Sequence, residues 1–123
     1  MILVALAGGL GSLARFLLDG WVSARARAWF PRIGVPIGTV LINVTGSLLL
    51  GMIAGWWMFH TGDPTWKLAL GTGFLGGYTT FSTASVEGAR LILTGRVVAA
   101  VVHAGGMLVA SIIAAALGVW LLS

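Results

Sequence analysis

Between Arg32 and Asp63 the chain carries no Asp, Glu, Lys or Arg. A helix needs about 20 mostly apolar residues to cross the hydrocarbon of a bilayer, and an uncharged run of this length meets that requirement. The rest of the chain repeats the pattern. Ile2–Trp21 is interrupted only by Arg15 and Asp19, Trp66–Leu93 has no charge between Lys67 and Glu87, and Val97–Leu122 holds only His103. Four membrane-spanning helices are therefore expected, at about 2–21, 35–59, 66–93 and 97–122. The links are Arg25–Ile33 with Pro31, His60–Thr65 with Pro64, and Thr94–Arg96. They leave no room for a soluble domain, so the fold class is all-α membrane protein, one domain over residues 1–123.

Composition excludes several functions. Charged residues make up 8% of the chain, against about 25% in soluble domains, and cannot coat a water-soluble globule. Without cysteine there is no disulfide, thiolate metal site or thiol nucleophile. The net charge of +4 would suit nucleic acid, but the cations stand at the ends of apolar runs and read as topology markers. No nucleic-acid partner is expected. The apolar N-terminus has no basic leader and runs on to Arg15, so it reads as a first span rather than a removable signal. Links 1–2 and 3–4 hold Arg25, Arg27, Arg32, Arg90 and Arg96, against Lys67 on the other side. The positive-inside rule places both links in the cytoplasm of a multi-pass plasma-membrane protein.

The second span carries Thr39, Asn43, Ser47, Gly51 and Gly55 at four-residue steps along one winding face. Ser47, Gly51 and Gly55 suit a small-residue packing seam equally well. An amide at bilayer depth needs partners, so Asn43 points to a pore or an interface. Arg15 and Asp19 are four apart and in reach of pairing, with Arg15 either snorkelling or drawing anions at a vestibule. In the fourth span His103, Met107 and Ser111 share a face, and His60 reads as solvated surface beside a turn.

The third span is the most informative. Residues 71–85 combine Gly71, Gly73, Gly76 and Gly77 with Thr79, Thr80, Ser82, Thr83 and Ser85. Glycine pairs and β-branched doublets weaken a helix. A break at membrane depth persists only where the freed backbone is buried or lines a cavity, and there carbonyls can hold a cation and N–H groups can face an anion. The expected break lies near Gly76–Thr83. No triad, phosphate loop or metal cluster is legible, so no enzyme is expected.

Three strings carry a resemblance over nearly the whole chain: Gly8-Gly9-x-Gly11-x-x-x-Arg15, Pro36-x-Gly38-Thr39-x-x-x-Asn43-x-x-Gly46-Ser47, and Gly73-Phe74-x-Gly76-Gly77-x-Thr79-Thr80-Phe81-Ser82-Thr83. The chain resembles the small four-helix fluoride channels of the Fluc or CrcB family. The resemblance implies an antiparallel dual-topology-type dimer with two anion pores and a central structural Na+, held by backbone carbonyls that match Gly76 and Thr79. It implies a fluoride-selective passive channel exporting cytoplasmic fluoride, with Asn43, Phe81, Ser82, Thr83 and His103 on the anion path and Arg15 at the vestibule. Two positions depart from the family pattern: Ala84 stands where the string ends in phenylalanine, and His103 where many relatives have tyrosine. The one-sided arginines predict a fixed orientation, so the dimer partner is either a second copy or an oppositely oriented homologous subunit. The competing class, small multidrug exporters driven by protons, needs a membrane-embedded carboxylate, which the first span offers only as Asp19 near its end.

Overall fold

The structure is a computed structural model that describes residues 1–29, 34–60 and 62–123. Pro31 and Arg32 of the first link lie outside the described residues. The described residues form helices α1 (Ile2–Trp29), α2 (Ile37–Phe59), α3 (Pro64–Lys67), a π-helical stretch Leu68–Leu75, then α4 (Gly76–Tyr78), α5 (Phe81–Leu93) and α6 (Val97–Leu122), with no strands among them. The helices α1, α2 and α6 are each long and apolar enough to cross a membrane. The expected third span corresponds to the interrupted helical run from Pro64 to Leu93.

The first helix runs eight residues past the expected end of its span, from Trp21 to Trp29. Apolarity ends near Trp21, but helix propensity does not. Alanines and arginines continue the helix, and the Arg25 guanidinium sits 3.8 Å from the Trp21 ring centroid, a cation–π contact. Arg25 and Arg27 thus belong to a helix end rather than to a link, and Arg90 likewise lies in the last turn of α5. The third span starts at Asp63, whose carboxylate accepts from the Thr65 N–H at 2.8 Å and caps α3. That bond to Thr65 holds the Asp63 carboxyl below its ordinary value. It ends on Gly95, whose φ of +76° closes a Schellman turn with Arg96 N–H donating to Leu91 C=O at 2.8 Å.

Packing follows the small residues. Helix α2 lies along α6, and α1 lies along the π-helical stretch and α4. Both seams bring backbone against backbone. A Cβ on Gly51 would enter the Ala115 carbonyl and one on Gly118 the Leu48 carbonyl, so the lower part of the α2 stripe is indeed a packing seam. The buried apolar centre is Ile42, Leu75 and Tyr78, and the Tyr78 hydroxyl pairs with Thr45 Oγ1 at 3.1 Å. At one end Arg96 Nη1 donates to the Gly34 carbonyl at 2.8 Å, which joins the 1–2 and 3–4 links. At the other end of α2, His60 stacks on Trp56 with ring centroids 3.9 Å apart.

Candidate ion site at the break in the third span

The break is shorter than the sequence suggests. Gly76 and Gly77 stay helical, and the extended residues are the two threonines: Thr79 at φ −76°, ψ 155° and Thr80 at φ −147°, ψ 120°. β-Branched residues favour extended backbone. Gly77 has a different task, since a Cβ there would enter the Gly8 carbonyl of α1.

Breaking a helix in a bilayer strands backbone groups that water cannot satisfy. Here Asn43 satisfies two of them. Its Oδ1 accepts from Thr80 N–H at 2.9 Å, and its Nδ2 donates to Thr80 C=O at 3.0 Å and to Thr39 C=O at 3.1 Å. The same nitrogen lies 3.3 Å from Met107 Sδ. The amide is a two-point clamp with both its hydrogens engaged. Thr80 also serves as N-cap of α5: its hydroxyl accepts from Thr83 N–H at 3.1 Å and lies 3.2 Å from Ser82 Oγ.

Arg15 reaches the same place from α1. Its Nε donates to the Gly77 carbonyl at 3.3 Å, Ser12 Oγ donates to the same oxygen at 3.3 Å, and Nη1 lies 3.5 Å from Thr83 Oγ1. Arg15 is half-buried against the break and does not pair with Asp19, whose Oδ1 accepts from Ser23 instead. The Leu75 carbonyl takes the Thr79 N–H and hydroxyl, both at 2.9 Å. Among the described residues, none of the hydrogen bonds at the break ends on the carbonyl of Gly76, Tyr78 or Thr79.

Beside the break lies a groove of about 620 Å³ between α2, α5 and α6. Asn43, Ser47, Thr80, Ser85 and Ser111 give it polar groups, and Phe81, Ala84, Met107 and Leu108 are among its apolar walls. Phe81 is 87% exposed, and Ala84 is buried. Ser82 is exposed and Thr83 half-buried. Of the expected anion-path residues, Asn43 and Phe81 line the groove, while Ser82, Thr83 and His103 are not among its walls.

His103 is 2% exposed and lies with Nε2 3.5 Å from Glu87 Oε2. Glu87 accepts from the buried Thr39 hydroxyl at 2.9 Å through Oε1. The sequence reading passed over Glu87 as the polar end of an apolar run. The available signal was a carboxylate within the span, one turn past a hydroxyl run.

Residues 2–119 match the family model described as CrcB-like protein, Camphor Resistance (CrcB). The chain is 47% identical over 121 residues to "Fluoride-specific ion channel FluC 1" of Leifsonia xyli subsp. xyli, covering 98% of this chain and 85% of the relative. It is 52% identical over 120 residues to "Fluoride-specific ion channel FluC 2" of Cutibacterium acnes, covering 96% and 93%. Against "Fluoride-specific ion channel FluC" of Novosphingobium aromaticivorans it is 42% identical over 115 residues, covering 94% and 89%. With the helix interrupted inside the matched region and the match running nearly end to end, the chain belongs to the CrcB-like family.

Proposed function

We propose that this chain is a subunit of a fluoride-specific passive channel that lets cytoplasmic fluoride leave the cell. The observation that carries the reading is the clamped break beside a hydroxyl-bearing groove. Fluoride is small and tightly hydrated, so a narrow path must replace its water with short donors, and hydroxyls and backbone N–H groups supply them. The positive edge of the Phe81 ring assists. Among the described residues, no Lys or Arg lines the groove, so an anion that enters is free to leave. Family membership leaves the multidrug-exporter alternative without support.

The groove is open on the face that bears Phe81, and the reading assigns that face to an antiparallel partner, a second copy or an oppositely oriented homologue. The donor chemistry at the break fits Na+: among the described residues the carbonyls of Gly76, Tyr78 and Thr79 accept no hydrogen bond across the break, Gly76 and Thr79 being the two that the resemblance assigns to the ion, and unwound carbonyls are suited to hard cations. Bound there, Na+ supplies a fixed positive charge that no side chain provides. The chain's own part is to hold those two carbonyls in place, through Asn43 on one side and Arg15 on the other.

The decisive measurement is fluoride efflux from proteoliposomes, with chloride as the control anion. Fluoride flux without chloride flux is expected, and no fluoride flux, alone or with a co-expressed homologue, overturns the reading. Orientation is checked separately by tagging the C-terminus and probing its accessibility in intact cells. A single orientation is the expected result, with the joined 1–2 and 3–4 links inside. Equal populations of the two orientations from this chain alone would remove the need for a second homologue.

A further inference from the structure

Glu87 and His103 form a polar cluster inside the helix layer that the clamp and the hydroxyl run do not use. His103 Nδ1, His103 Nε2 and Glu87 Oε2 are all buried without a hydrogen-bond partner, although Nε2 and Oε2 stand 3.5 Å apart. A neutral imidazole must carry its hydrogen on one nitrogen, so a buried donor here lacks a settled acceptor, and a carboxylate oxygen beside it lacks a donor. A small closing movement makes the bond, and a proton can then sit on either partner.

We propose that Glu87 and His103 form a proton-holding pair whose charge state controls anion passage through this subunit, an inference that rests on the channel reading above. With no proton shared the pair carries one negative charge; with one it is neutral; with two it is positive. Fluoride is an anion, and Ala104 and Met107, the neighbours of His103 on α6, line the groove. Ser85, two residues before Glu87, lines it as well. A negative pair therefore opposes entry, and protonation removes the opposition.

The surroundings leave the pair in control. Helix α2 brings no titratable residue to it, only the Thr39 hydroxyl that fixes Glu87 Oε1. Helix α6 has no titratable side chain besides His103. Among the described residues, the other charges whose field reaches Glu87 are Asp19 of α1 and Arg90 of α5, which are of opposite sign. Histidine is the side chain that changes charge near neutral pH, whereas a tyrosine phenol stays neutral there.

The test is fluoride efflux from proteoliposomes between about pH 8 and about pH 5.5, the range in which histidine titrates. Protein-free vesicles subtract the leak of hydrofluoric acid. Flux is expected to rise about tenfold toward acid, the effect of one pK unit of interaction. H103Y and E87Q are each expected to flatten the profile, whatever their absolute rates, and H60Q, at the far end of α2, to leave it in place. Either flattened variant suffices if the other fails to fold. A flat wild-type profile overturns the proposal while leaving the channel standing, as does a slope that survives H103Y. Absence of fluoride flux at every pH overturns the channel reading and this inference with it.

Discussion

An alanine at Gly77 is expected to destabilise the folded protein by about 3 kcal/mol, at the upper end of what overpacking costs. The added Cβ would enter the Gly8 carbonyl of α1, with the Gly8 Cα only 3.1 Å away. These neighbours are backbone, so no side chain can swing aside. The seam is also locked from the other side, because Gly11 has its own van der Waals surface against the Phe74 carbonyl and the Tyr78 nitrogen. Relief requires α1 to move away from the third span as a body. That movement would pull Arg15 and Ser12 off the Gly77 carbonyl and loosen the break itself. G9A is the internal control: nothing lies within 4 Å of a Cβ there, and alanine is the better helix former. Unfolding midpoints in mixed micelles should separate the two, with G9A within about 1 kcal/mol of wild type. Equal midpoints for G77A and G9A would mean that the α1 seam is looser than the backbone contacts require.

The contrast between these two glycines marks what a sequence can and cannot disclose. The three long spans α1, α2 and α6 were legible because charge is excluded from hydrocarbon whatever the tertiary structure, and the ends of α2 and α6 fall within two residues of where apolarity alone puts them. The end of α1 was not, since a helix does not stop where its apolar face stops. The break was legible as a region, from the crowding of Gly and β-branched residues. Its exact place was not, because Gly73 and Gly77 serve close contact with α1, Gly76 stays helical, and the threonines are the ones that unwind. Asn43 was legible as a residue in need of partners, but not as a clamp on Thr80, which lies 37 positions away and meets it only in the fold. Glu87 was hidden for the same reason: its partners Thr39 and His103 come from two other helices.

Replacing Asn43 by leucine, which keeps the branched shape and removes both halves of the clamp, is expected to abolish fluoride efflux and to cost roughly 2–6 kcal/mol of stability. The Thr80 N–H and C=O would each be left in the bilayer without a partner, at about 1–3 kcal/mol apiece. The loss is expected to be local first. Amide exchange at Thr80 should accelerate in N43L before the α2–α6 seam opens, because that seam rests on Gly51 and Gly118 and the amide touches α6 only at Met107 Sδ. N43D separates the clamp from a direct contact with the ion. A carboxylate still accepts from Thr80 N–H but repels the Thr80 and Thr39 carbonyls that the amide now bridges. The aspartate should therefore protect the Thr80 amide and still lose flux, since half the clamp is gone and a negative charge faces the groove. If N43L removes flux while Thr80 stays protected from exchange, the amide acts on the anion directly and the break is held by α1 through Arg15. If exchange and flux change together, the side chain that closes the break is also the one that makes the path, because an unclamped Thr80 cannot keep its own hydroxyl and that of Ser85 on the groove.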